Sequence, residues 1–172
     1  MAVPVIVAAL VVVFVLGIGA AMTPVGAWYR NLRKPAWNPP NWVFGPAWTV
    51  ILSLAACSGV LAWVNSSDTG THLRIVVLFG VNMILHMLWS PLFFKLRRPD
   101  WALIEVVFLW LSIVALMIGL APLSSLASSL LMPYLLWVTF AAILNLFIVR
   151  MNFPFGRRTR PISSETDRST PI

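Results

Sequence analysis

Charge is scarce in this chain. Asp, Glu, Lys and Arg make up 10% of its 172 residues, against about 25% in a typical soluble domain. With 5 acidic residues and 2 histidines, it offers no paired buried carboxylates, no Ser/His/Asp set and no metal cluster, which argues against an ordinary enzyme. There is no nucleotide-binding motif, and few charges lie within the apolar runs to relay protons, so a pump is poorly supported. The one cysteine, Cys57, excludes an internal disulfide framework and any CxxC metal site. Tyrosine is also rare, 2 residues beside 9 tryptophans. Apolar types fill the chain, at 60%. That excludes a disordered chain, argues against a water-soluble globule and points to a bilayer-embedded bundle. The formal charge is +7, but the positive residues sit at the ends of apolar runs. There they read as membrane-topology signals, and no nucleic-acid partner is expected.

A membrane span needs about 20 mostly apolar residues, because the hydrocarbon is about 30 Å thick and a helix rises 1.5 Å per residue. Five runs meet this, at 3–22, 43–64, 73–94, 101–120 and 126–149. They are continuous and lack the alternation of a barrel strand. The fold class is therefore all-α, an integral membrane bundle of five transmembrane helices. One domain is expected over 1–152, followed by a disordered basic tail over 153–172. The first run has no Lys or Arg before it and exceeds the 7–15 apolar residues usual in a signal peptide, so a retained helix is expected. Of the 12 Lys and Arg residues, only Arg74 falls on the side of the second and fourth loops. By the positive-inside rule the C-terminus is cytoplasmic and the N-terminus outside.

The first loop, 23–42, reads TPVGAWYRNLRKPAWNPPNW. Its prolines forbid a regular helix through most of it. It nevertheless carries Trp28, Tyr29, Trp37 and Trp42, more aromatic area than a loop leaves in water. An interfacial aromatic belt would explain the tryptophans alone. A structured lid over the bundle's mouth explains the prolines as well and is the preferred reading. Asn41 is expected to cap the second helix, with Pro46 in its first turn.

Two stripes of special residues follow helical spacing. Asn82, His86, Trp89 and Phe93 share one face of the third span, and Tyr134, Trp137, Ala141 and Asn145 one face of the fifth. Unpaired polar groups avoid lipid, so both stripes should face the bundle interior. At 1.5 Å per residue Trp48 lies about 9 Å into its helix, His86 about 13 Å from Lys95 and Trp137 about 20 Å from Arg150. Together these residues can line one cavity opening toward the aromatic loop. Such a cavity suits a flat, apolar ligand with anionic edges. Its face would stack on tryptophan and its carboxylates would meet a basic rim at Arg30, Arg33 and Lys34. For Asn82 and Asn145, hydrogen-bonding between helices is an equal alternative to ligand contact. Trp89 and Phe93 also read as packing anchors. Glu105, near Lys95, Arg97 and Arg98, reads as half of an interfacial ion pair. Gly17 with Ala21, and Ala55 with Gly59, have the spacing of close helix contacts, within one chain or in a dimer.

The segment WYRNLRKPAWNPPNWVFGPAW, from Trp28 to Trp48, resembles the signature of the TspO/translocator protein family, the tryptophan-rich sensory proteins or peripheral benzodiazepine receptors. LWSPLFF, from Leu88 to Phe94, and PYLLWVTFAAILN, from Pro133 to Asn145, extend the resemblance in the right order. It implies a five-helix bundle, often dimeric, that binds porphyrins and, in some members, cholesterol and benzodiazepine-type ligands. It further implies tetrapyrrole transport or sensing, or light-dependent protoporphyrin breakdown, with porphyrin as ligand and no required cofactor. Taken with the loop and the two stripes, the ligand-binding residues expected are Trp28, Trp37, Trp48, Asn82, His86, Trp89, Tyr134, Trp137, Ala141 and Asn145. Trp48 and Trp137 align with the pair tied to porphyrin photochemistry in the family. Two departures matter. The third-span motif usually has Asn where this chain has His86, and often Gln where it has Asn82. A neutral imidazole at position 86 can coordinate haem iron, the alternative being a buried histidine hydrogen-bonded to a neighbour. The sterol motif of animal members has a central Tyr, and here the stretch is Leu144, Phe147, Arg150. Losing that hydroxyl argues against sterol binding.

Overall fold

The structure is a computed structural model that describes residues 2–155, all-helical apart from turns and connections. Five helices are long and apolar enough to cross a membrane. In chain order the elements are α1 (Ala2–Ala21), α2 (Ala27–Asn31), α3 (Asn41–Val64), α4 (Thr69–Ser90), α5 (Pro99–Leu120), α6 (Ser125–Ser129) and α7 (Met132–Asn152). The short α2 and α6 lie in connections at opposite ends of the bundle. The tail expected to be disordered lies, from residue 156 onward, outside the described residues.

Local chemistry sets the ends of these helices. Asp68 caps α4, its carboxylate accepting from the Gly70 and Thr71 amides at 3.2 and 2.7 Å. Ser124 caps α6 through the Ala127 amide at 3.1 Å. Proline opens α5 at Pro99 and falls in the first turn of α7 at Pro133, where its missing N–H costs nothing. At Asn41 the expectation needs correction. Pro40 occupies the cap position, Asn41 is the first helical residue, and no side-chain cap forms. Because the helix starts this early, Pro46 lies inside it rather than in its first turn. The end of α4 widens into a π turn over Pro91–Lys95. Pro91 has no N–H for the carbonyl four residues back. Longer bonds follow, from the Leu96 amide to the Pro91 carbonyl at 2.9 Å and from Arg98 to Leu92 at 3.0 Å. Arg97, at φ 54°, ends the turn in the left-handed region.

The long helices form a ring in the order α3, α1, α4, α5, α7 and back to α3. The main core fills the α6 end, where Ile113, Leu116 and Leu120 of α5 pack on Ala62, Ala127, Leu131 and Val138. Ser58 is sealed in this core and donates to the Ala127 carbonyl at 2.6 Å. Ala55 is buried, and a Cβ at Gly59 would stand 3.3 Å from the Phe79 ring, so this small-residue pair serves contact within the chain. Gly17 touches nothing that a Cβ would meet. A smaller cluster of Tyr29, Phe93, Ala102, Leu144 and Ile148 closes the α2 end. The space between the two clusters is left open.

Candidate functional site

That space is a cavity of about 330 Å³ walled by α1, α3, α4, α5 and α7 and reached by Tyr29 of the first loop and by Asn41 at the start of α3. Its aromatic wall is made by Phe44 and Trp48 of α3, Trp89 of α4, Phe93 of the π turn that follows it, and Trp137 of α7. Trp48 is central. Its ring meets His86 at 4.6 Å, Tyr134 at 6.1 Å and Trp137 at 6.3 Å, all edge to face. Phe44 meets Trp137 at 5.8 Å. On the other side of Trp137 an open groove runs between α3 and α7, lined by Trp42, Pro46, Pro133 and Phe140.

Of the residues singled out in the sequence, Trp48, His86, Trp89, Trp137, Ala141 and Asn145 reach the cavity wall. Trp28, Trp37, Asn82 and Tyr134 do not. Trp28 packs edge-on to Phe93 at 6.0 Å, behind the wall. Trp37 is 44% exposed and lies against Phe140 and Phe147 at 5.8 and 5.5 Å. Asn82 and Tyr134 form a buried polar chain. The Tyr134 hydroxyl donates to Asn82 Oδ1 at 3.3 Å, and Asn82 Nδ2 donates to Ser112 Oγ at 2.8 Å. His86 Nδ1 meets the same hydroxyl at 3.3 Å. With its amide turned to suit both neighbours, Asn145 donates to the Pro99 carbonyl at 3.2 Å and accepts from the Leu103 amide at 3.1 Å. Both asparagines therefore tie helices together, and Asn145 also reaches the cavity. Ser112 was not apparent as a partner in the sequence. A serine on a mostly apolar face, three residues beyond buried Leu109, was its only signal.

The first loop forms a lid. Tyr29 is buried against Phe93 and Phe94, with ring centroids at 6.3 and 5.3 Å. Burial pushes its hydroxyl above the usual range. Lys34 folds over the Tyr29 ring at 4.0 Å and donates to the Tyr29 carbonyl at 2.6 Å, and burial lowers its ammonium. Arg30 donates to the Val25 carbonyl at 3.1 Å. Two of the three rim cations are thus tied to the lid's own backbone. Asn152, the last residue of α7, clamps the lid from below. Its Oδ1 accepts from the Arg33 amide at 2.9 Å and its Nδ2 donates to the Arg33 carbonyl at 2.8 Å.

The ion pair expected of Glu105 does not form. Arg98 instead pairs with Asp100 at 2.5 Å and stacks on Trp101 at 4.4 Å. Glu105 is 6% exposed, and neither of its oxygens has a hydrogen-bond partner. It lies three residues after fully buried Ala102 and four before buried Leu109. Helical phase turns it inward, away from the cations at the helix end.

Comparison with known proteins agrees with this architecture. The TspO/MBR family model matches residues 5–151. The tryptophan-rich protein TspO of Chlorobaculum tepidum is 40% identical over 141 residues, covering 78% of this chain and 86% of that protein. The tryptophan-rich sensory protein of Cereibacter sphaeroides is 37% identical over 138 residues, covering 78% and 82%. The human translocator protein is 35% identical over 136 residues, covering 76% and 79%. Five apolar helices around an aromatic cavity, with a family match along nearly their whole length, lead to one conclusion: this chain belongs to the TspO/MBR family of multi-pass membrane proteins.

Proposed function

We propose that this protein binds porphyrins and related flat apolar ligands in the cavity beneath the lid, for sensing or for movement across the membrane. The observation that carries the reading is the convergence of Trp48, Trp137, Phe44, Trp89 and His86 on one space, apolar and aromatic with few polar groups. A macrocycle would stack between indoles, and its acidic edge would meet Arg33 and the neighbouring cations at the mouth. Membership of the family supports the tetrapyrrole class. The likeness to the sphaeroides protein, named as sensory, supports sensing, and that to the translocator proteins supports movement. We read the active unit as a homodimer in a membrane with the lid and C-terminus cytoplasmic and the N-terminus outside. Sterol is not favoured as a ligand, because Phe147 lacks a hydroxyl.

A second reading has its own observation. Trp48 and Trp137 meet edge to face at 6.3 Å and both line the cavity. In that reading light excites the bound porphyrin, an indole exchanges an electron with it, and dissolved dioxygen, as the terminal oxidant, is reduced as protoporphyrin is degraded. The test is a dark titration of purified protein with protoporphyrin, followed by illumination. Saturable quenching of tryptophan fluorescence is expected, and its absence overturns the binding reading. A new absorbance product on illumination, lost in Trp48→Phe/Trp137→Phe while quenching persists in part, identifies the photochemical activity. Unchanged spectra and photoproduct in the double variant refute the assignment of this pair.

A further inference from the structure

The buried polar chain ends at the cavity, and its hydrogens can be traced. The Ser112 hydroxyl donates to the Leu109 carbonyl at 2.7 Å. Its oxygen is then the acceptor for Asn82 Nδ2 at 2.8 Å. This orientation presents Asn82 Oδ1 to Tyr134, whose hydroxyl hydrogen goes there at 3.3 Å. The Tyr134 oxygen is left as an acceptor, and the tautomer that completes the chain carries its hydrogen on His86 Nδ1, at 3.3 Å. A neutral imidazole carries one hydrogen. With that hydrogen on Nδ1, the lone pair sits on Nε2. His86 lines the cavity, is partly buried as a residue and makes no hydrogen bond through Nε2 among the described residues.

We infer that His86 Nε2 is an axial ligand for the iron of a haem held in this cavity. The inference rests on the porphyrin reading above and adds a metal preference to it. An imidazole whose second nitrogen donates to an oxygen is the usual form of a metal-ligating histidine, because that bond fixes the tautomer and raises the basicity of the ligating nitrogen. Here Tyr134 is the positioning residue, and it is itself held by Asn82 and Ser112. The Trp48 ring, 4.6 Å from His86 and edge to face with it, restricts the imidazole's rotation. An amide at position 86 would offer no comparable lone pair.

The test compares ferric haem with iron-free protoporphyrin, in the dark, on the full chain in detergent. Four proteins are used: native, His86→Asn, His86→Ala and Tyr134→Phe. In the native protein ferric haem should give the Soret shift and the high-spin axial electron paramagnetic resonance signal of a single imidazole ligand, and should bind more tightly than protoporphyrin. In His86→Asn that signature disappears and the ratio of haem to protoporphyrin affinity falls by about tenfold, while an unchanged melting temperature of the ligand-free protein reports an intact fold. Free imidazole added to His86→Ala should restore the spectrum. Tyr134→Phe should keep ligation but weaken haem binding by roughly tenfold, as loss of a second-shell partner does. If native protein and His86→Asn bind the two ligands in the same ratio with the same spectra, the inference is overturned and the porphyrin reading stands. If neither ligand binds the native protein, both fall together.

Discussion

Glu105 is the residue at which sequence distance and helical phase gave opposite answers. Counted along the chain it sits close to Lys95, Arg97 and Arg98; turned around the helix it joins Ala102 and Leu109 in the buried face. A carboxyl sealed away without a partner loses its hydration and gains nothing in exchange. Replacing it by an apolar group of similar reach removes that loss. Glu105→Leu is therefore expected to raise stability by about 1–3 kcal/mol, read as a higher melting temperature in detergent. A fall of several degrees would show that the carboxyl has a partner after all. Elsewhere the residue scale was legible. Period 3.6 brought His86 and Trp89, and Trp137, Ala141 and Asn145, to the cavity because polar and aromatic groups shun lipid. It did not separate Asn82 and Tyr134, which point inward but into a neighbouring helix. A stripe gives a direction and not what waits there.

Among the elements, the five spans were legible because each must be long and apolar enough to cross hydrocarbon unaided. Their ends were less so. The π turn at Pro91–Lys95 follows from a proline that also belongs to a continuous apolar run, so the run alone conceals it. The start of α4 is simpler and can be tested with pH. The Thr71 side chain first, then the Thr71 and Gly70 amides, hold the Asp68 carboxyl below the usual carboxylate range. A lowered value means the folded end prefers the charged form. The cap is thus complete at neutral pH and is lost as acid carries Asp68 through its depressed value, below about pH 4. Amide exchange at residues 70–72, corrected for its intrinsic pH dependence, should accelerate only there. Asp68→Asn should cap without that transition, and Asp68→Ala should fray at all pH values. A native profile flat down to pH 2 would refute the cap's charge dependence.

For the whole molecule, the order of helices around the ring was not legible. Apolar surfaces facing lipid and apolar surfaces facing neighbours have the same composition, so nothing in a run says which run it will touch. The lid was legible, since prolines among tryptophans fit neither a span nor a solvated loop. Sidedness was read from the basic residues, of which only Arg74 lies away from the lid and C-terminal side. A reporter fused after residue 172 should therefore be cytoplasmic, and one inserted within 65–71 should be external. The reverse labelling would overturn the orientation.

The Asn152 clamp bears on how such a protein is made. A ribosome delivers the lid sequence early and the last turn of α7 at the end, 119 residues after the Arg33 backbone it grips. Until that turn has entered the bilayer this fastening is missing, and the lid is held only by contacts such as those of Trp28 and Tyr29 with Phe93 and Phe94. The chamber is therefore completed late, and the last residue of α7 supplies the latch that closes it.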